Sequence, residues 1–232
     1  MNPREKTLLT RIVLAALTLI AAAALARAYE LPGTFAPMNP AAEPAASNAN
    51  QELTSPTARD VLKFWRAAGP ALWFAKDAEF DARFRERFLT DHEAAARGEL
   101  EHWMATPEGA LALVILLDQF PRNAFRGTPR MYDTDALARK AANLAFSAGY
   151  DQRLPRELRK FFVLPFAHSE DLADQERSVA LARRIGPDDL AHAEHHRDIV
   201  RRFGRFPHRN AILGRESTPE ERSYLENGGY QG

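Results

Sequence analysis

The stretch LALVILL at residues 111–117 runs directly into DQFPRN at residues 118–123. Its apolar positions cover every face of a helix, which predicts a helix that is buried all round and runs to Phe120. Asp118 then falls in the last turn, where a carboxylate faces the negative end of the helix dipole. If that end is buried, Asp118 needs a cation as well as hydrogen bonds, and Arg122 is the nearest candidate along the chain.

Residue patterns typical of helix starts and helix ends occur on both sides of this segment. Thr106-Pro107 and Thr218-Pro219 are each typical of a helix start, and Asp77 can cap a helix whose phenylalanines recur every fourth residue. Helix ends are predicted at glycines, namely Gly69 before Pro70, Gly98, Gly149 and Gly186. No stretch alternates for long enough to make a convincing strand. We therefore predict an all-α fold, a single domain of about eight to ten helices over residues 55–232.

The first 54 residues differ in composition from the rest. Residues 1–28 have a basic start, an uncharged run from Ile12 to Ala26 and a small-x-small pattern, which predicts a signal peptide cleaved after Ala28. The uncharged run reaches about 22 Å as a helix, less than the ~30 Å hydrocarbon core. Residues 29–54, rich in Pro and Ala, predict a disordered linker. We expect a periplasmic protein, or one anchored in the inner membrane by uncleaved residues 1–28.

The composition excludes several kinds of site. The 232 residues include 31 Lys+Arg and 31 Asp+Glu, and this balance argues against nucleic acid as a partner. The chain has no Cys, which excludes disulfides, thiolate metal sites and a Cys nucleophile. The order HAEHH at residues 192–196 matches neither common zinc-protease motif. We therefore predict no metal and no cofactor, and membrane contact only through residues 1–28 if they remain uncleaved.

A second polar cluster follows another apolar stretch, FFVLPFA at residues 161–167. His168 is a candidate general base there, and Asp118 or Glu170 could orient it. Ser169 precedes two acids, which is typical of a helix start, and no nucleophile elbow surrounds it. We therefore interpret Ser169 as a helix cap.

The third cluster lies in residues 201–210, where arginines alternate with phenylalanines. Exposed cations would not need these aromatic neighbours, so the segment is predicted to lie against the core. Its guanidinium groups would then point inward or into a cleft, where they suit carboxylates and phosphates. Alternatively, they only neutralise Asp118, Glu170 or helix ends.

The three clusters, in this order, resemble a bacterial family known as domain of unknown function 924. The resemblance rests on LDQFPRN (117–123), PFAHSED (165–171) and RFGRFPHRN (202–210), with VLKFW at 61–65, and covers roughly residues 54–226. It implies an all-helical array of the tetratricopeptide-like superfamily and no particular activity. The usual member looks cytoplasmic, so a relative's cytosolic partner would not carry over to a chain with an export segment.

Two functions and a structural alternative remain from the sequence. The preferred hypothesis is a cleft that binds an anionic small molecule or a peptide carboxylate, because no nucleophile or metal motif supports chemistry. Its ligand-binding candidates are Gln119, Arg122, Asn123, Arg205, His208, Arg209 and Asn210. The alternative is a hydrolase or isomerase acting on an anionic substrate, with His168, Glu170 and Asp118 as catalytic residues. Under the third interpretation the polar clusters are purely structural.

Overall fold

The computed structural model describes residues 56–232, and the predicted signal peptide and linker lie outside the described residues. Within residues 56–232 nine helices follow one another without a β-strand, which confirms the predicted all-α domain. They are α1 (Pro56–Trp73), α2 (Ala78–Ala96), α3 (107–124), α4 (Asp135–Ser147), α5 (Tyr150–Arg153), α6 (Arg156–Ala167), α7 (Leu172–Ala182), α8 (Pro187–Phe203) and α9 (Pro219–Glu226). Short 3₁₀ turns occur at Glu101–Ala105, Pro129–Tyr132 and Pro207–Arg209.

Side-chain caps begin three helices where the sequence predicts them. The Asp77 carboxylate accepts a hydrogen bond from the Phe80 amide at the start of α2. The Thr106 hydroxyl accepts from the Gly109 amide at the start of α3. Thr218 begins α9 with a capping box, in which its side chain and that of Glu221 bond each other's backbone amide.

The predicted break at Gly69 is confirmed, whereas the predicted cap at Ser169 is wrong. Gly69 has a non-helical backbone (φ 69°, ψ 176°) that separates the first helical run of α1 from a second run, which continues through Pro70 to Trp73. Ser169 does not cap α7. The helix begins at Leu172 because the Asp171 carboxylate accepts from the Ala173 amide, whereas the Ser169 hydroxyl accepts from the Asp171 amide and donates to a carboxylate.

Helix α3 is the central element of the domain. Its residues from Gly109 to Phe120 are all buried, as the apolar stretch predicts. It packs against α1, α2, α4 and α6, so every face of it meets another helix. In the largest hydrophobic cluster, which includes the apolar residues of α3, Trp65 meets Phe84 at a tilt and Phe161 edge-on. Within residues 56–232 no helix has the length and hydropathy that crossing a membrane requires.

Helix α3 widens to a π-helical turn at Ile115–Gln119, where the Phe120 amide bonds to the Ile115 carbonyl five residues back. Pro121 has no amide N–H to donate, so the regular ladder cannot continue through this turn. The helix nevertheless continues as α-helix over Phe120–Ala124, beyond the predicted end at Phe120. Asp118 therefore lies inside the helix and not in its last turn.

Three successive carbonyls of the widened turn accept hydrogen bonds from side chains. The donors are His92 Nδ1 to Leu116 O at 2.9 Å, Thr134 Oγ1 to Leu117 O at 2.5 Å and Arg122 Nη1 to Asp118 O at 2.8 Å. Pro121, which stands five residues after Leu116 and four after Leu117, has no N–H to donate to either of these buried carbonyls, so side chains supply the bond. These side chains therefore stabilise the widened turn and fix the position of Asp118.

We expect Thr134→Val to lower the free energy of unfolding by about 1–3 kcal/mol, because it leaves the buried Leu117 carbonyl without its donor. Urea unfolding measures this change. Ser147→Ala is the matched control, since the exposed Ser147 hydroxyl also bonds a helix carbonyl, and we expect a change of about 0.5 kcal/mol or less. Equal losses in the two variants would contradict the role given to Thr134.

Candidate functional site

A cleft of about 520 Å³ opens beside helices α6 and α8. On α6, Lys160, Leu164 and His168 line it at four-residue intervals, so they follow one helix face over about 12 Å. Helix α8 contributes His192 and His196. Asp188 and Asp189 also line the cleft, as do aromatic side chains from other segments, namely Trp73, Phe74, Tyr132, Phe206 and Tyr230. The cleft therefore combines imidazole and charged groups with apolar surface.

The buried Asp118 carboxylate holds His168 at the wall of this cleft. His168 Nδ1 lies 2.8 Å from Asp118 Oδ1, and the other carboxylate oxygen accepts from Gln119 Nε2 at 2.6 Å. Arg122 Nη1 lies 3.3 Å from Asp118 Oδ1. Since an ionised carboxylate only accepts, Nδ1 carries the proton, and the lone pair of the neutral imidazole is on Nε2.

Burial and neighbouring charges keep Asp118 ionised and His168 neutral at neutral pH. Burial raises the pKa of Asp118, but the charge of Arg122 and the bond from His168 outweigh burial and hold the pKa well below its usual range. Burial and the Arg122 charge lower the pKa of His168, against the opposing effect of Asp118. The pair therefore consists of an ionised Asp118 and a neutral His168.

Side chains that donate hydrogen bonds to backbone carbonyls fix the C-terminal end of α6, where His168 lies. Gln175 Nε2 donates to Ala167 O at 2.7 Å and to Ser169 O at 2.6 Å. Arg209 Nη2 donates to His168 O at 2.9 Å. Three consecutive carbonyls are thus bonded by side chains from elsewhere in the fold, which limits the positions that the imidazole can take.

Arg122 is bonded to carboxylates within the protein. Its two terminal nitrogens bond the two oxygens of Asp135 at 2.8 and 3.0 Å, and Nη1 also donates to Asp118 O. This fork joins α3 to α4 and pairs one cation with two buried carboxylates. Arg122 lines the cleft, but its hydrogen-bonding capacity towards a ligand is small.

Arg209 differs from Arg122 because much of its hydrogen-bonding capacity is unused. The guanidinium carbon lies 4.5 Å from the centre of the Phe206 ring and 4.6 Å from that of Tyr132. Within residues 56–232 its Nε has no partner, and the nearest carboxylate oxygen, on Asp135, is 3.9 Å from Nη1. Burial and the nearby Arg122 lower the pKa of Arg209. Two aromatic rings thus hold a buried cation at the cleft, and the part of the chain that the structure describes gives it one hydrogen bond.

The other histidines of the cleft are also neutral at pH 7. Burial is the main cause that lowers the pKa of His192 to about 4, of His196 to about 2 and of His208 to about 3. His196 is fully bonded, because Nδ1 lies 2.9 Å from the His192 carbonyl and Nε2 lies 3.2 Å from the Tyr230 hydroxyl. His208 Nδ1 is buried without a partner in residues 56–232.

The structure brings most of the predicted site residues together. Those that line the cleft are Gln119, Arg122, Asn123, His168, His208 and Arg209, with Asp118 behind His168. Three predicted residues lie outside its lining and are engaged elsewhere. Glu170 bonds Arg215 at 2.6 Å, Arg205 bonds Glu221 at 2.6 Å, and Asn210 bonds the same Glu221 at 3.2 Å. They connect the segment after α8 to α9 and to the turn before α7.

Several residues of the cleft were not among the predicted site residues. His192 and His196 share a helix face, which is a signal in the sequence, but that spacing is equally typical of core histidines. Tyr132 and Tyr230 gave no sequence signal, because each reaches the cleft from a segment far along the chain. Within residues 56–232 no three His, Asp or Glu side chains lie so that they could hold a metal ion.

Comparisons with known proteins agree with this fold. A family model described as bacterial protein of unknown function (DUF924) matches residues 61–229. A solved structure of a protein of unknown function, ATU0120 from Agrobacterium tumefaciens, is 57% identical and superposes with a TM-score of 0.73. The match covers 74% of this chain and 98% of that chain. No protein of curated function matches the chain significantly.

We expect the buried neutral histidines to make the fold labile to acid. His192 titrates near 6.5 when unfolded and near 4 when folded, so the unfolded chain takes up the proton first as the pH falls. Its contribution to stability is complete above about pH 6.5 and is lost as the pH falls towards 4.

In His192→Gln, the free energy of unfolding should therefore fall less steeply between pH 6.5 and 4.5, by about 1.4 kcal/mol per pH unit. Urea unfolding at a series of pH values measures the slope. His102→Gln is the control, because His102 is exposed. An unchanged slope in His192→Gln would contradict the prediction.

Proposed function

This chain belongs to the DUF924 family of bacterial proteins of unknown function, and we propose that its cleft binds an anionic small molecule or a peptide carboxylate. Neither the family description nor the solved relative names an activity. The proposal therefore rests on the geometry of the cleft.

The observation that carries the proposal is the state of Arg209. A guanidinium has five N–H donors, and only one hydrogen bond is made by this side chain within residues 56–232. Burial of a cation whose N–H donors are unbonded costs free energy unless an anion pairs with it. The two aromatic rings also fix its orientation, which reduces the entropy lost when an anion binds. An arginine fork held in this way suits a carboxylate.

We expect Arg209→Lys to weaken binding at least tenfold, because an ammonium keeps the charge but lacks the fork. Isothermal titration with a panel of anions measures the affinity, using phosphate, citrate, acetate and 3-phenylpropionate. Arg209→Met removes the charge and should abolish the binding altogether.

Arg201→Met is the control for that titration. Arg201 is exposed, pairs with Glu176 and does not line the cleft, so its removal should leave the affinity unchanged. Circular dichroism melting shows whether the variants stay folded. Failure of all four anions to bind the wild-type chain, or equal affinity in Arg209→Met, would contradict the proposal.

A second candidate function, acid–base catalysis on a bound anion, is favoured by the hydrogen bond between Asp118 and His168. That bond leaves the Nε2 lone pair on a neutral imidazole at the wall of the cleft, which is the state that a general base requires. Asp118 would orient His168 and stabilise the imidazolium after proton transfer. Glu170 does not support this role, since both its carboxylate oxygens are bonded by Arg215.

We expect His168 to remove a proton from 5-nitrobenzisoxazole, a probe for general bases in apolar sites. Nε2 would take the C3 proton, the C–H electron pair would form the nitrile and the N–O bond would break to release a nitrophenolate. The rate should exceed that of free imidazole, and His168→Gln should lower it by a factor of about 10². His102→Gln is the control, and equal rates for the wild type and His168→Gln would contradict this candidate.

A further inference from the structure

The cationic side chains that line the cleft differ in how closely carboxylates pair with them. Arg122 bonds Asp135 at 2.8 Å, Arg126 bonds Asp81 at 2.8 Å and Lys160 lies 3.1 Å from Asp189. The remaining cation of the lining, Arg209, has its nearest carboxylate oxygen at 3.9 Å and no hydrogen bond to it within residues 56–232. The cleft therefore offers one available guanidinium, which matches one carboxylate.

The buried charges beside Arg209 limit the charge of a ligand. Asp118 and Asp135 balance Arg122 and Arg209, and the imidazoles that face them carry no charge at neutral pH. Since these four charges already sum to zero, a singly charged ligand gives the group a net charge of −1, whereas a doubly charged ligand gives it −2 beside two carboxylates. In a partly buried site this repulsion is weakly screened. A singly charged anion fits this balance better than a phosphate dianion.

The cleft also has apolar side chains in its lining, beside Asp188 and the Lys160–Asp189 ion pair. Leu164 lies one helical turn before His168 on α6, and Trp73 and Phe74 line the cleft from the end of α1. Phe74 is 58% exposed, whereas most large apolar side chains of the domain are buried. Its ring stacks on Phe161 with the centroids 6.2 Å apart, so it offers a fixed flat surface. Such an exposed aromatic group in a cleft is typical of a binding surface.

We infer that the ligand is a monocarboxylate with an aromatic or aliphatic group, whose carboxylate binds Arg209 while the apolar group covers Phe74 and Leu164. This inference rests on the proposed binding function and specifies the chemistry of its ligand. Leu164 lies one helical turn, about 6 Å, before His168, whose carbonyl is bonded by Arg209, and this spacing suits a carboxylate joined by a short spacer to one ring or alkyl chain. Both a free acid and the C-terminal residue of a peptide have this chemistry.

Isothermal titration with four probes tests the inference at pH 8. The probes are 3-phenylpropionate, acetate, phenyl phosphate and acetyl-Ala-Phe. We expect 3-phenylpropionate to bind at least tenfold more tightly than acetate, which lacks the apolar group, and than phenyl phosphate, which has two negative charges. Tighter binding of acetyl-Ala-Phe, lost when its carboxylate is amidated, would identify a peptide as the source. Tighter binding of 3-phenylpropionate would identify a free acid.

Two variants separate the apolar contact from general stability. Phe74→Ala should weaken 3-phenylpropionate binding three- to tenfold and leave acetate binding unchanged. Leu137→Ala is the control, because Leu137 is also exposed but does not line the cleft.

The possible failures are distinguishable. If phenyl phosphate binds more tightly than 3-phenylpropionate and depends on Arg209, the inference is overturned and the binding function stands. An unchanged affinity for 3-phenylpropionate in Phe74→Ala would also overturn it. If none of the probes and neither phosphate nor citrate binds, both the inference and the proposed function fail.

Discussion

The cleft depends on one buried charge, the carboxylate of Asp118 in the widened turn of α3. A buried carboxylate has to be paired and hydrogen-bonded, and Arg122, Gln119 and His168 meet that requirement. Arg122 in turn brings Asp135 and so joins α3 to α4. His168 is fixed by the same carboxylate at the end of α6. One electrostatic constraint thus connects three helices and determines which imidazole nitrogen faces the cleft.

The sequence predicts the elements of this arrangement better than their connections. The buried helix, the caps at Asp77 and Thr106, and the pairing of Asp118 with Arg122 follow from local rules of burial, capping and charge. Pro121, however, predicts a helix end, and this prediction is wrong because the helix continues to Ala124. No local rule indicates that side chains from other segments will bond the carbonyls that Pro121 leaves without an amide donor. The position of Glu170 outside the cleft could not be predicted for a similar reason, because its partner Arg215 lies 45 residues away along the chain.

The arginines near the cleft divide into two roles. Arg122, Arg205 and Arg215 are bonded by carboxylates and stabilise the fold. Buried ion pairs of this kind perturb pKa values without forming a site, so perturbed groups alone would not distinguish structure from function. Arg209 differs because two aromatic rings lie against its guanidinium group, and within residues 56–232 it makes no hydrogen bond to a carboxylate and its Nε has no partner. This difference carries the functional conclusion.

A crystal structure of the chain with 3-phenylpropionate tests most directly whether Arg209 is the anion-binding group. We predict a carboxylate oxygen within about 3 Å of Arg209 nitrogen atoms and the phenyl ring against Phe74. A carboxylate bound at another cation, or a ligand outside the cleft, would contradict this arrangement.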